Sequence, residues 1–147
     1  MAVCARAFAG VTAKKTISIM EASQYLENIK SRLIASNAIA TFTIIEEIDL
    51  GDRGYFRASV RLSNDDFLEI AEYFKITENV VTTTRYRYQW MDCDRTKLRK
   101  RWDNVPHFPN LSNFPHHIHV ESEENVISGD LLSILGLLDI LEQEVEF

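Results

Sequence analysis

Hydrophobic and polar residues follow two different periods along the chain, and the change of period marks the predicted elements. Between residues 20 and 36, Tyr25, Ile29 and Leu33 recur at a spacing of four, which is typical of an amphipathic helix. In residues 55–62 apolar and polar side chains alternate, so one strand face is apolar and the other polar. The pattern therefore predicts a helix followed by β-structure.

Further strands are predicted from composition. Residues 39–50 are rich in Ile, Thr and Phe, and a short turn with two glycines joins them to residues 55–62, which predicts a hairpin. Residues 80–90 combine β-branched and aromatic side chains and predict a third strand, and residues 116–120 predict a short final one.

Three other segments are harder to interpret. Residues 63–76 have apolar residues at helical spacing behind plausible capping residues, but their length and place in a meander fit a strand equally well. Residues 91–114 contain two prolines and charge-rich turns, which predicts a long ordered loop. Ser128 is predicted to cap a C-terminal helix. The apolar face of that helix would consist of Leu131, Leu135, Leu138 and Leu141.

These elements predict a single α+β domain over residues 20–147, with an N-terminal helix, an antiparallel meander sheet of four to five strands, and a C-terminal helix. A chain of 147 residues is long enough for one hydrophobic core. Residues 1–19 contain three basic residues and no acidic one. We interpret them as a disordered tail or as a mis-assigned start, with Met20 as the natural one.

Two features bear on the cellular compartment. No apolar run reaches about 18 residues, so neither a membrane span nor a membrane partner is expected. Cys4 and Cys93 lie far apart and form no CxxC pair, which is typical of a protein in a reducing compartment. The expected location is the cytoplasm.

Charge is distributed unevenly along the chain. The net charge of −6 would ordinarily argue against nucleic acid as a partner. Residues 85–120, however, hold 7 basic and 3 acidic residues, whereas residues 121–147 hold 8 acidic residues and no basic one. All four histidines also lie in the basic block, so we expect the chemistry of the protein there.

The segment RYRYQW begins this block. With a strand period of two, Arg85 and Arg87 share one face and the tyrosines share the other. Arginine is suited to bidentate contact with phosphate, which would make this face a phosphate-binding surface. The alternative is a solvated sheet face on which the arginines pair across strands with Glu46 or Glu69.

A second basic cluster, RTKLRKR, leads directly into an aromatic residue. Cations beside an exposed ring suit nucleic acid, because the charge contacts phosphate while the ring stacks on a base. The alternative is a solvated loop. The candidate nucleic-acid-binding residues are Arg95, Lys97, Arg99, Lys100, Arg101, Trp102 and Asn104.

The histidines are the most distinctive feature. His117 and His119 would point to the same face of a strand, with His116 opposite. An HxH pair is a metal-ligand spacing, for which Asp103, His107 or Glu121 could supply a third ligand. The alternative is general acid–base catalysis without metal, since imidazole titrates near neutral pH.

Together these residue types predict cleavage of RNA without metal or other cofactor. One histidine would take the 2′-OH proton, another would protonate the leaving 5′-oxygen, a tyrosine would assist as donor, and arginines would stabilise the phosphorane charge. The candidate catalytic residues are His107, His117, His119, Arg85, Arg87, Tyr86 and Tyr88.

A family resemblance supports this interpretation. The order of elements, the strand ending in YQW, the string RWDNVPH from Arg101 to His107 and the string FPHHIH from Phe114 to His119 form one pattern. This pattern resembles the TumE-type toxin family of small bacterial proteins encoded beside an antitoxin. The resemblance implies a type II toxin–antitoxin component that acts on RNA, with an antitoxin protein as partner. It also implies that residues 67–76 form a strand.

Two rival functions are compatible with the same residues. A metal-dependent hydrolase could use the histidine cluster with a carboxylate such as Asp103. A non-enzymatic module could bind nucleic acid or an acidic protein through the basic block, and the acidic C-terminal helix could cover that block in cis.

Overall fold

The protein folds as a seven-stranded antiparallel sheet with two helices, as seen in a computed structural model that describes residues 19–145. This confirms the predicted α+β class, but four to five strands was too few. The expectation for residues 1–19 lies outside the described residues except at Ile19. The elements are α1 (Ala22–Ala35), β1 (Ile39–Asp49), β2 (Arg53–Leu62), β3 (Phe67–Thr77), β4 (Val80–Met91), β5 (Leu98–Asp103), β6 (His117–Val120), β7 (Val126–Ser128) and α2 (Ile134–Glu144).

The sheet is a meander in which every strand pairs with its neighbours in sequence, in the order β1-β2-β3-β4-β5-β6-β7. All six pairings are antiparallel. Antiparallel neighbours can be joined by short connections, as between β1, β2, β3 and β4, whereas β5 and β6 are joined by the longer segment 104–116.

The hydrophobic core lies between the two helices and one face of the sheet. Alternate residues of β2 and β3 point into it, as the two-residue strand period requires, and α1 and α2 cover them. We call the other face, from which the helices are absent, the open face. The core side chains with 2% exposure or less include Leu26, Ile29, Leu33, Phe56, Leu62, Leu68, Ile70, Phe74, Tyr88, Ile134, Leu137, Leu138 and Leu141.

One carboxylate in this core connects the layers. Glu72 on β3 is fully buried and accepts hydrogen bonds from Tyr25 Oη at 2.7 Å and the Ile134 backbone N–H at 2.7 Å, and Tyr88 Oη lies 3.3 Å from its Oε1. These three groups belong to α1, to the first residue of α2 and to β4. Burial raises the pKa of Glu72, and the hydrogen bonds oppose that shift in part.

Residues 67–77 form strand β3, which confirms the interpretation taken from the family resemblance over the helical one. Leu68, Ile70, Glu72 and Phe74 alternate into the core. The helical spacing was misleading because Glu72, a core position, is charged and therefore hides the two-residue period.

The predicted loop over residues 91–114 was partly wrong, since it contains β5. Asp92 closes a tight turn before this strand, because its carboxylate accepts hydrogen bonds from the backbone N–H groups of Thr96 at 2.7 Å and Lys97 at 3.1 Å. The chain then returns beside β4. Four of the six residues of β5 are charged, three of them in succession, which made the strand resemble a solvated loop.

The C-terminal helix begins five residues later than predicted. Ser128 belongs to β7, and Ser133 is the residue that caps α2, with its Oγ accepting the Gly136 N–H at 3.1 Å. Leu131 therefore lies outside the helix and is 49% exposed. The helix packs into the core, on the opposite side of the sheet from the open face, and it contacts the basic block through Glu144, whose Oε1 lies 2.9 Å from Lys100 Nζ.

In residues 19–145 no helix is long and apolar enough to cross a membrane.

Candidate functional site

The register of the last strands brings the chemically distinctive residues into two adjacent rows on the open face. One row joins Arg87, Asp103 and His117 on β4, β5 and β6. The next row joins Gln89, Arg101 and His119 on the same strands. Because side chains alternate along a strand, both rows point to the same face.

Asp103, His117 and His119 form a compact group, here called the Asp103 cluster. His117 Nε2 lies 3.0 Å from Asp103 Oδ1, and His119 Nε2 lies 3.8 Å from Asp103 Oδ2. All three side chains are at most 5% exposed. Each residue offers a ligand atom within 4.8 Å of the others, so the cluster is of a size to hold a metal ion.

The backbone fixes the orientation of both imidazole rings. His117 Nδ1 lies 2.9 Å from the Pro115 carbonyl oxygen, and His119 Nδ1 lies 2.9 Å from the Glu123 carbonyl oxygen. A carbonyl oxygen can only accept a hydrogen bond, so each Nδ1 carries a hydrogen and donates it. Both Nε2 atoms are thereby turned toward Asp103.

Arg101 closes one side of the cluster. Its Nε donates to Asp103 Oδ2 at 3.3 Å, and its two terminal nitrogens contact both oxygens of Glu123 at 2.6 and 2.5 Å. This guanidinium lowers the pKa of Glu123, whose side chain is 60% exposed. A fork of this kind binds carboxylate and phosphate alike.

A cleft of about 430 Å³ opens beside the cluster. The connection between β5 and β6 forms its far wall, where the Phe108 ring packs edge-on against His117 and His119 with ring centroids 4.8 and 5.8 Å apart. His107 and Arg87 line the same cleft and are both exposed. The cleft therefore joins two exposed, chemically active side chains to a buried cluster.

A family model described as Toxin TumE matches residues 29–146. The chain belongs to the TumE toxin family. The match spans most of the chain and confirms the resemblance carried by the YQW, RWDNVPH and FPHHIH strings. Searches of curated proteins and of solved structures gave no match.

In this TumE protein the two candidate tyrosines lie on the opposite side of the sheet from the cleft. Tyr88 Oη donates to the Leu132 carbonyl oxygen at 2.9 Å, and Tyr86 Oη bonds to His116 Nδ1 at 2.9 Å. Both rings are at most 3% exposed, and burial raises the pKa of both hydroxyls far above the usual range. Their predicted role as proton donors in the site does not fit this geometry.

The two candidate arginines of β4 point to the open face, as the strand period predicts. Arg87 Nη2 donates to Gln89 Oε1 at 3.0 Å, and Arg85 is exposed. The alternative for these arginines was an ion pair with Glu46 or Glu69 on a neighbouring strand. Glu69 pairs instead with Arg57, whose Nη2 lies 3.0 Å from Glu69 Oε1.

Most side chains of the basic segment before the RWDN string contact separate neighbours, because β5 and its turn point them in different directions. Arg95 lies 3.8 Å over the Phe67 ring, Arg99 Nε lies 3.4 Å from Asp66 Oδ2, and Lys100 Nζ lies 2.9 Å from Glu144 Oε1. Lys97 is exposed in the turn.

Within the RWDN string, Trp102 and Asn104 make contacts inside the fold, whereas Arg101 lines the cleft. Trp102 is 4% exposed, on the core face of β5. The Asn104 side chain accepts the Tyr86 N–H at 3.1 Å and donates to the Thr84 carbonyl oxygen at 3.0 Å, which fastens the end of β5 to β4. Of the seven residues proposed for nucleic-acid binding, Arg101 is the one that lines the cleft.

Sequence reasoning missed two residues of the site. Glu123 was counted only as part of an acidic run, and Phe108 was not considered. Each reaches the cluster through a loop whose path depends on the register of β5 and β6. The signal that could have indicated Glu123 is its opposite charge to Arg101, but the neighbouring Glu121 and Glu124 have the same charge.

Proposed function

We propose that this protein is the toxin of a type II toxin–antitoxin system and that it cleaves RNA in the cleft beside the Asp103 cluster. The observation that supports this function is the meeting of Arg87, Arg101 and His107 around the buried cluster, on the face of the sheet that the helices leave open. Membership of a toxin family supplies the biological setting.

The open face suits a single-stranded RNA. Arg57, Ala71 and Arg87 occupy one row across β2, β3 and β4, and this row borders a groove of about 220 Å³ that shares Arg87 with the cleft. The small side chain of Ala71 leaves room between the two arginines. A phosphate backbone lying along this row would place one phosphate at the mouth of the cleft.

An exposed aromatic residue lies at the end of this groove. Tyr73 is 48% exposed and packs on Tyr55 with ring centroids 4.2 Å apart, next to Arg85 across the β3–β4 pair. Proteins that bind single strands combine such rings with cations, because every base has a face that can stack. Tyr73 would therefore hold a base adjacent to the phosphates.

The cleft has the groups that RNA cleavage requires. In the reaction the 2′-oxygen bonds to the adjacent phosphorus as its proton leaves, and the 5′-oxygen departs with a proton. Arg87 and Arg101 are placed to offset the charge on the phosphoryl oxygens. His107 is exposed in the cleft, where its ring can meet a bound RNA, whereas His117 is buried with its ring held between the Pro115 carbonyl and Asp103.

The partner in this proposal is an antitoxin protein, and the location is the cytoplasm, where RNA and a co-expressed antitoxin are both available. An antitoxin that neutralises this activity need only occupy the open face. Co-purification of the tagged antitoxin encoded beside the gene would test this part of the proposal.

The cleavage itself is tested by induced expression in a bacterial host, with growth and total RNA followed over time. Wild type should arrest growth and degrade RNA, and Arg87→Ala and His107→Ala should each slow RNA loss by roughly 100-fold, the usual contribution of a charge stabiliser or a proton-transfer group. Lys97→Ala removes an exposed cation outside the cleft and should behave as wild type.

Two outcomes would contradict the proposal. Intact RNA in cells that contain folded wild-type protein would leave a binding module as the better function. Equal loss of activity in Lys97→Ala would show that cations act through general charge rather than through the cleft.

A further inference from the structure

In the Asp103 cluster the Nε2 atoms of two histidines converge on a carboxylate that already accepts hydrogen bonds from the Val105 N–H and from Arg101 Nε. The backbone carbonyls of Pro115 and Glu123 hold the hydrogens of His117 and His119 on Nδ1. In a neutral imidazole the other nitrogen, Nε2, then carries a lone pair. Both lone pairs point toward Asp103, whose carboxylate also only accepts.

Such an arrangement is stable when a positive centre lies between the acceptors. We propose that Asp103, His117 and His119 bind one first-row divalent metal ion, for which Zn²⁺ is the probe. Donor atoms about 2.0–2.1 Å from a tetrahedral ion lie roughly 3.3 Å from one another. His117 Nε2 and His119 Nε2 lie 3.0 and 3.8 Å from different oxygens of Asp103, and ligand atoms of the three residues lie within 4.8 Å of one another, so modest side-chain shifts bring them to that spacing.

The surroundings of the cluster are those of a metal centre. Metal-bound histidines characteristically donate their second N–H to a carbonyl or carboxylate, as both rings do here. Asp103 is itself fixed by the Val105 N–H at 3.0 Å and by Arg101 Nε at 3.3 Å. Three protein ligands beside a cleft leave a fourth position for water or a phosphate oxygen, which is the pattern of catalytic rather than structural sites.

A proton is the other positive centre that the cluster could hold. It would join His117 Nε2 to Asp103 Oδ1 at 3.0 Å, but His119 Nε2 at 3.8 Å is beyond hydrogen-bonding distance. One proton therefore accounts for one ring, whereas one metal ion accounts for the convergence of both. This metal ion would be the cofactor of the proposed function. Its role in RNA cleavage rests on that proposed function, whereas its binding to the cluster does not.

The test uses untagged full-length protein, with metal content measured by inductively coupled plasma mass spectrometry. Chelator-treated protein is then titrated with ZnCl₂ and followed by calorimetry and thermal unfolding. We expect about one Zn²⁺ per chain and a Tm rise of roughly 5–10 °C when free Zn²⁺ is 100 times Kd. These readouts do not depend on catalytic activity.

Two variants remove a ligand while preserving the fold. In Asp103→Asn an amide oxygen in the place of Oδ1 can still accept the Val105 N–H, and the amide nitrogen then takes the place of Oδ2, on the side of His119 Nε2. In His119→Asn the amide takes the place of Nδ1 and keeps the bond to the Glu123 carbonyl. Both should bind Zn²⁺ more than about 100-fold more weakly, since loss of even a ligand's supporting partner weakens binding about 10- to 100-fold.

His116→Asn is the matched control, because His116 faces Tyr86 on the other side of the sheet and should keep full Zn²⁺ binding. Wild type that binds no Zn²⁺, or an Asp103→Asn protein that binds it equally, would overturn the inference. Zn²⁺ binding with intact RNA would leave the site standing and defeat the proposed function. RNA cleavage by wild type that binds no Zn²⁺ would leave the proposed function standing and defeat the metal site.

Discussion

At the scale of single residues, Arg101 forms ion pairs with two carboxylates beside the cleft. Arg101 lies between Asp103, which is buried, and Glu123, which is mostly exposed, and it contacts both. The buried contact fixes the guanidinium in place. The exposed contact occupies the two terminal nitrogens that a phosphate group would use.

Removing that exposed carboxylate should strengthen RNA binding. In Glu123→Gln the fork of Arg101 no longer faces a charge, so we expect affinity to rise by up to about fivefold, which corresponds to a partly exposed ion pair of about 1 kcal/mol. Fluorescence anisotropy with a 2′-O-methyl RNA, which cannot undergo internal attack, measures binding without cleavage.

Glu124→Gln removes a neighbouring exposed charge and is the control for a change in net charge alone. An equal gain in both variants would show that RNA affinity depends on net charge and not on the contact between Glu123 and Arg101.

The direction of side chains on β4 could be predicted from the sequence, but their partners could not. The two-residue period correctly separated Arg85 and Arg87 from Tyr86 and Tyr88, because that period is a property of any strand. Whether the tyrosines faced a site or the core depended on where the helices packed. The pairing of Asp103 with His117 likewise depended on a register that no local pattern encodes.

Among the elements, α2 shows how packing selects between two possible capping residues at the start of a helix. Ser128 and Ser133 both precede apolar residues and both can cap a helix, so the sequence offers two starts. Ser133 caps α2 in the structure because Ile134 then meets Glu72 and the leucines of the following turns enter the core. The choice is made by packing, which lies outside the local pattern.

This difference can be measured. Ser133→Ala removes the acceptor for the Gly136 N–H and should lower the free energy of unfolding by about 1 kcal/mol. Ser128→Ala, in β7, should change it by less than about 0.5 kcal/mol. Urea denaturation of both variants compares them directly, and a larger effect for Ser128→Ala would favour the earlier helix start.

In the whole molecule, Glu72 makes the stability of the fold depend on pH. Burial raises its pKa in the folded protein above that in the unfolded chain, so between these two values the folded protein holds a proton that the unfolded chain has released. The free energy of unfolding contributed by this group therefore falls as the pH rises above about 4.5, the ordinary pKa of glutamate.

Glu72→Gln removes this titration. We expect the free energy of unfolding of the variant, relative to wild type, to increase between pH 4.5 and pH 7.5, as measured by urea denaturation at several pH values. Glu46→Gln removes an exposed carboxylate and should follow wild type. A constant difference between Glu72→Gln and wild type across this range would show that the carboxylate of Glu72 does not titrate differently in the folded state.

The order of the strands also bears on how the protein is made. Because each strand pairs only with its neighbours in sequence, hairpins can be added one after another as the chain leaves the ribosome. The ion pair between Arg32 and Asp139 joins residues 107 positions apart and must wait until α2 has emerged. The cleft residues, from Arg87 to Glu123, also lie in the second half of the chain. A nascent chain from which Glu123 has not yet emerged therefore lacks a complete cleft, however many of the preceding hairpins have formed.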